Sequence, residues 1–219
     1  MDNPAIPKEH HKRLYIIRHG ETDLNKNGIV QGRGIDSDLN ETGIKQGQAF
    51  YEKYKDINFD KIYTSTLKRT HQTVADFIKK GIPWQQLSGL DELAWGRYEG
   101  QKSTPELREA FKDLIQAWSN GHYEIKTEGG ESPNEVYIRQ AKAVEEILKH
   151  KDEKTVLVCM HGRAMRLLMC LLMKEPINKM DNYPHQNTSL YIVDYNYDTK
   201  LFNFSSFNSL EHLNQFSND

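Results

Sequence analysis

Apolar positions along the chain form short continuous runs that alternate with longer helical stripes. Leu14-Tyr15-Ile16-Ile17 and Thr155-Val156-Leu157-Val158-Cys159-Met160 are apolar at successive residues and end in polar bursts at Arg18 and His161. Such runs predict central parallel strands covered on both faces. Lys61-Ile62-Tyr63 is a weaker run that leads into Thr64-Ser65. Residues 41–54 predict a helix with Asn40 as N-cap and with Ile44, Gly47, Tyr51 and Tyr54 on one face. Leu67 to Lys80 reads as one helix striped by Leu67, Val74, Phe77 and Ile78 and stopped by Gly81. Thr104-Pro105 opens another, to Ser119, striped by Leu107, Phe111, Leu114 and Trp118. Ser132-Pro133-Asn134-Glu135 is a capping box with proline at the first helical position, starting a helix to about Lys149. Arg163 to Met173 is apolar almost all round and predicts a buried helix, in which Met165, Met169 and Met173 join Met160 as core filler. Ser189–Tyr195 and Leu201–Phe204 read as strands around a turn at 196–200. Strand and helix alternate, which argues for a layered α/β domain.

Composition adds bounds to this pattern. The 219 residues suit one well-filled domain over 13–219, with 90–135 as an excursion from its core and 1–12 as a loose, flexible leader. With 37% hydrophobic and 27% charged residues and a net charge of -2, the chain carries no nucleic-acid or membrane footprint. No apolar run reaches the roughly 18 residues of a membrane span. Met1 to Arg13 lacks the apolar core of a secretory signal. Cys159 and Cys170 lie in apolar stretches without metal-type spacing, so buried free thiols and a cytoplasmic location are expected.

The candidate chemistry gathers at the two polar bursts. Arg18-His19-Gly20-Glu21-Thr22 and His161-Gly162-Arg163 each follow a buried strand, and in open α/β sheets the ligand crevice lies beyond the carboxyl ends of strands. If the two strands are neighbours, both imidazoles reach one rim, and Gly20 lets the backbone approach a ligand. Either histidine alone is more often structural. His10 and His11, among Lys8, Lys12 and Arg13, read as solvated rather than metal-binding. Gly32-Arg33-Gly34 is too short for a nucleotide loop, and no cluster has metal spacing. Neither a metal nor a cofactor is therefore expected.

Several blocks together resemble the signature of the histidine phosphatase superfamily, which includes the cofactor-dependent phosphoglycerate mutases. They are Arg18–Thr22, Asn25, Gln31-Gly32, Leu39–Gly43, Tyr63–Thr70, Leu90-Asp91-Glu92, Gly96, Glu99-Gly100, Gly129–Ser132 and His161-Gly162, spread in the family's order over residues 13–195. The resemblance implies a three-layer α/β/α sandwich around a mostly parallel central sheet, phosphoglycerate mutase-like. Three positions depart from the family pattern: Ile29 for an arginine, Leu24 for an aromatic and Asp38 for a proline. They bear on substrate contacts near residues 24–38.

By the same resemblance His19 is the nucleophile of a phosphohistidine enzyme, Arg18 and Arg69 clamp the phosphoryl group, and His161 binds its oxygens. Glu92 is the general acid and base, with Asp91 as the adjacent alternative. Asn25, Gln31, Gly32, Gly162 and Arg163 are expected around the phosphate or substrate, Gln31 and Gly32 through backbone donors. Physical chemistry agrees with the types: guanidinium forks match phosphate oxygens, and nearby cations keep an attacking imidazole neutral. Only residues 93–128 separate Glu92 from Gly129, and they contain no adjacent arginine pair that would grip a phosphorylated acid twice. This favours the compact phosphatase branch: a phosphomonoester hydrolase for a small anionic metabolite. A bisphosphoglycerate-primed mutase is the alternative, and a non-catalytic phospho-ligand binder the remote one. The partner expected is a small phosphorylated metabolite, with no nucleic acid or membrane; a homodimer stays open.

Overall fold

β1 (His11–Arg18) sends Leu14 and Ile16 to one side of a sheet and Tyr15 and Ile17 to the other. This two-sided burial organises the whole molecule. The structure, a computed structural model, describes residues 10–216. After β1 come α1 (Asp23–Lys26), α2 (Glu41–Tyr54), β2 (Lys61–Thr64), α3 (Lys68–Thr73), α4 (Ala75–Lys79) and β3 (Trp84–Gln86). Then follow α5 (Pro105–Ser119), α6 (Pro133–Lys149), β4 (Thr155–Met160), α7 (Gly162–Met173), β5 (Leu190–Asn196) and β6 (Leu201–Ser209). A 3-10 helix at Glu211–Phe216 closes the described chain.

The sheet order is β3-β2-β4-β1-β5-β6. β1 pairs with β4 in parallel, as β4 does with β2 and β2 with β3, while β5 and β6 join antiparallel. One face, built from Leu14, Ile16, Val156, Val158, Met160, Tyr191 and Val193, packs with residues of α5, α6 and α7. The other, built from Tyr15, Ile17, Ile62, Leu157, Cys159 and Leu190, packs on Phe50 of α2 and Phe77 of α4. The result is a three-layer α/β/α sandwich around a mostly parallel sheet. The 90–135 stretch contributes Leu90, Leu93, Trp95, Tyr98, Leu114 and Trp118 to the first of these clusters.

Several expectations need correction. Of the segment read as a leader, residues 1–9 lie outside the described residues, and His11 and Lys12 belong to β1. Lys12 is fully buried, donating to the carbonyls of Ile147 and His150 at the end of α6, so it serves as a helix C-cap. The helix expected over 67–80 breaks at Val74 (φ -108, ψ 18). Thr73, just before the break, returns its hydroxyl to Arg69 O at 2.6 Å, a local bond that bends helices. On α2 the buried face is Gly43, Gly47, Ala49 and Phe50, while Ile44 is 50% exposed. A Cβ on Gly43 would fall 2.1 Å from Glu21 O, and one on Gly47 2.7 Å from Thr73 O. Gly43 brings the helix backbone against the loop after β1 and Gly47 brings it against the end of α3. β3 was not expected, and β6 runs five residues past Phe204 through a bulge in its register with β5.

Candidate active site

β1 and β4 are adjacent and parallel, with Arg18 opposite Met160, so His19 and His161 leave the sheet side by side. Their ring centroids are 5.2 Å apart. His19 is buried, and its Nδ1 lies 2.7 Å from Gly20 O. A carbonyl only accepts, so Nδ1 carries the proton and Nε2 keeps its lone pair. Burial, and then the charges of Arg69 and Arg18, hold the His19 pKa well below 6.5, against the opposing pull of the Gly20 bond. The ring is neutral at physiological pH.

Gly20 answers a different need from the one expected. A Cβ there would meet Gly43 O at 2.5 Å, so the glycine permits contact with the start of α2 rather than with a ligand. Gly20 N–H is donated to Thr73 Oγ1 at 2.9 Å. Gly162 is similar, since its Cβ would fall 2.5 Å from Cε1 of His185.

Arg69, fully buried on α3, anchors the second imidazole. It donates Nε–H to His161 Nδ1 at 3.2 Å, and its two terminal nitrogens donate to Ile35 O at 2.7 Å and Gly32 O at 3.2 Å. These bonds use three of its five N–H groups. His161 Nε2 therefore carries the proton, donated to Ser65 Oγ at 2.7 Å. Burial, followed by Arg69, His19 and Arg18, pushes the His161 pKa well below 6.5 as well. Arg18 is partly exposed, but its Nε is buried without a partner in the protein. Burial lowers its pKa to about 10, with Glu92 opposing, so it stays cationic.

Glu92 lies at the N-terminus of α7, whose first N–H groups have no partner within the helix. Its Oε1 accepts from Ala164 N at 2.8 Å and Leu93 N at 2.9 Å, and its Oε2 from Arg163 N at 3.1 Å. Asp91, the adjacent alternative, is spent elsewhere. It accepts from Thr66 N and Thr66 Oγ1, both at 2.8 Å, and pairs with Arg33 Nε at 3.0 Å.

The His19–His161 contact, the Arg69–His161 bond and the bonds of Glu92 to Arg163 N and Ala164 N gather these side chains beyond the carboxyl ends of β1 and β4, with the Arg18 charge close enough to act on both imidazoles. The family model of the histidine phosphatase superfamily (branch 1) matches residues 14–208. The chain belongs to the histidine phosphatase superfamily. It is 32% identical over 212 residues to a broad-specificity phosphatase of Saccharomyces cerevisiae, covering 92% of this chain and 87% of that one. It is 29% identical over 182 residues to phosphoserine phosphatase 1 of Hydrogenobacter thermophilus, covering 83% and 85%. Among solved structures, YhfR of Bacillus stearothermophilus superposes with a TM-score of 0.80 at 28% identity, over 92% of this chain and 99% of that one.

The remaining expected residues of this histidine phosphatase are placed less uniformly. The Asn25 side chain closes the capping box of α1 and accepts from Asn187 Nδ2 at 3.2 Å. Gln31 spends its amide on Thr22 Oγ1 at 2.7 Å and Ser37 Oγ at 2.6 Å. Gly32 offers its carbonyl to Arg69 at 3.2 Å. Arg163 pairs with Asp181 at 3.3 Å and lies 6.0 Å from the Trp95 ring centre. Sequence reasoning missed Ser65, Asn187 and His185. Burial, then Arg18, Arg166 and Arg163, pulls the pKa of His185 down to about 3. Ser65 lies within the Tyr63–Thr70 block, but no pattern in the chain pairs it with His161, 96 residues away. Among the described residues no group of three or more His, Cys, Asp or Glu could hold a metal ion, and no helix is long and apolar enough to cross a membrane.

Proposed function

We propose that the protein hydrolyses small anionic phosphomonoesters through a phosphohistidine on His19. The observation that carries this reading is the 2.7 Å bond from His19 Nδ1 to Gly20 O, which leaves an unprotonated Nε2 beside two arginines. Nε2 attacks phosphorus in line and the bond to the leaving oxygen breaks. The equatorial oxygens meet Arg18, whose buried Nε has no protein partner, and the two N–H groups of Arg69 left over from its protein bonds. The departing oxygen takes a proton from Glu92, carried at Oε2, the oxygen with a single N–H donor. The phosphorylated ring keeps its Nδ1 proton on Gly20 O and is positively charged. In the second half water attacks phosphorus and gives its proton to Glu92. Phosphate leaves, and the neutral His19 and the acid are both restored.

Hydrolysis is favoured over phosphoryl return because no adjacent arginine pair lies between residues 93 and 128. The phosphatase names of the two curated relatives support the same reading. Arg163 is assigned to an anionic group on the leaving side of the substrate. The test is a panel of phosphomonoesters, phosphoserine among them, assayed for released inorganic phosphate beside 3-phosphoglycerate primed with its bisphosphate. Catalytic release from some esters is expected, with Arg163→Ala raising KM more than it lowers kcat. Efficient interconversion of the phosphoglycerates with negligible release would install the mutase instead.

A further inference from the structure

The end of β1 is held from behind by a residue far along the chain. Thr188 is buried and sits at φ 58, a left-handed conformation that β-branched residues rarely adopt. From there its N–H reaches Arg18 O at 3.1 Å and His19 O at 3.4 Å. The neighbouring Asn187 Nδ2 donates to His19 O at 3.1 Å, and Arg18 N donates to Ser189 O at 3.2 Å. The 187–189 turn thus fixes both carbonyls flanking the nucleophile's backbone.

His212, from the 3-10 helix at Glu211–Phe216, determines what Thr188 can do. Thr188 Oγ1 donates to Asn187 O at 2.8 Å, so toward His212 Nε2, 3.0 Å away, it can only accept. His212 therefore carries its proton on Nε2, and its Nδ1 is buried without a partner. The ring is also wedged edge-on against Phe50 of α2, with centroids 5.3 Å apart. A buried imidazole with one nitrogen unsatisfied is a costly way to fill space, since an apolar side chain would fill it without that penalty. The group it does satisfy is Thr188.

We propose that His212 is a positioning residue for the nucleophile. By donating to Thr188 Oγ1 it holds Thr188 in the left-handed turn whose N–H fixes the backbone of Arg18 and His19. This rests on the reading of His19 as the nucleophile. It makes the C-terminal 3-10 helix part of the catalytic apparatus although it touches no substrate.

The test is steady-state kinetics on folded, purified variants, with phosphohistidine trapping of the wild type alongside. His212→Leu keeps the packing against Phe50 but loses the donor. Thr188→Val keeps the β-branch and the N–H but loses the acceptor. Each is expected to lower kcat by about ten- to a hundredfold with KM little changed, the signature of a misaligned group. Combining them should add almost nothing, because both remove one interaction. His212→Gln and Thr188→Ser, which can restore the bond, should recover most of the loss. Thr188→Val leaves the His212 ring in place, so the test stands even if His212→Leu does not fold. A phosphorylated wild type beside folded His212→Leu and Thr188→Val variants of undiminished kcat would overturn this inference alone. Wild-type turnover without a phosphohistidine would overturn the reading of His19, and this inference with it.

Discussion

Arg69 donates its Nε–H to Nδ1 of His161 across 3.2 Å, joining the buried guanidinium to the second imidazole of the site. The bond fixes the His161 tautomer, and Ser65 Oγ receives the other ring proton at 2.7 Å. Ser65 is itself held, accepting from Leu67 N at 3.1 Å and lying 3.0 Å from Thr70 Oγ1.

Arg69→Lys is therefore not a conservative change. A lysine is a point charge that cannot bond His161, Gly32 and Ile35 while presenting a fork to phosphate. The expected loss in kcat/KM is on the order of a hundred- to a thousandfold, the scale for removing a preorganised donor to a developing anion. Steady-state kinetics on Arg69→Lys, beside a thermal melt to confirm folding, checks it.

Glu92→Gln keeps an amide oxygen for the N–H groups of α7 but cannot deliver a proton. With a poor leaving group the loss should be about a hundred- to ten-thousandfold. With a nitrophenyl leaving group, which departs readily as an anion, it should be much smaller. Rates of both substrates with Glu92→Gln decide the matter, and equal losses would remove the acid role.

Three buried histidines and the half-buried His185 give stability a pH dependence of known sign. His19 and His161 lie well below 6.5, His185 is pulled to about 3 and His212 to about 4, each mainly by burial. Below pH 6.5 the unfolded chain binds protons at these rings while the folded chain does not, so stability falls as pH falls. The loss begins near 6.5 and is complete only at each folded pKa. Thermal midpoints measured from pH 7.5 to 5, where carboxylates titrate little, should decline, and His212→Gln should flatten the slope.

How much of this was legible in the sequence depends on whether the deciding contact is local. β4 and the start of α6 were readable to the residue, because a six-residue two-sided apolar run and a Ser-Pro-Asn-Glu capping box are local signals. On α2 the sequence pattern turns Ile44 inward, whereas the structure buries Gly43, whose backbone lies against Glu21, and glycine carries no apolar signal. β3 has three residues and an exposed–intermediate–exposed pattern, and only its pairing with β2 defines it. The candidate residues Arg18, His19, Arg69, Glu92 and His161 could be proposed from the sequence because each lies in a contiguous block that carries the family resemblance. Ser65 on His161 and Thr188 on His19 are products of the sheet order, which brings distant segments to one rim.

The most direct measurement of the central claim is rapid quenching of the protein with phosphorus-labelled substrate, with analysis of the trapped label. The account predicts a base-stable, acid-labile phosphoenzyme on His19, formed fast enough to lie on the turnover path and absent from a folded His19→Ala variant. Label persisting in His19→Ala, or a wild type that releases phosphate with no protein-bound label at any quench time, would contradict it.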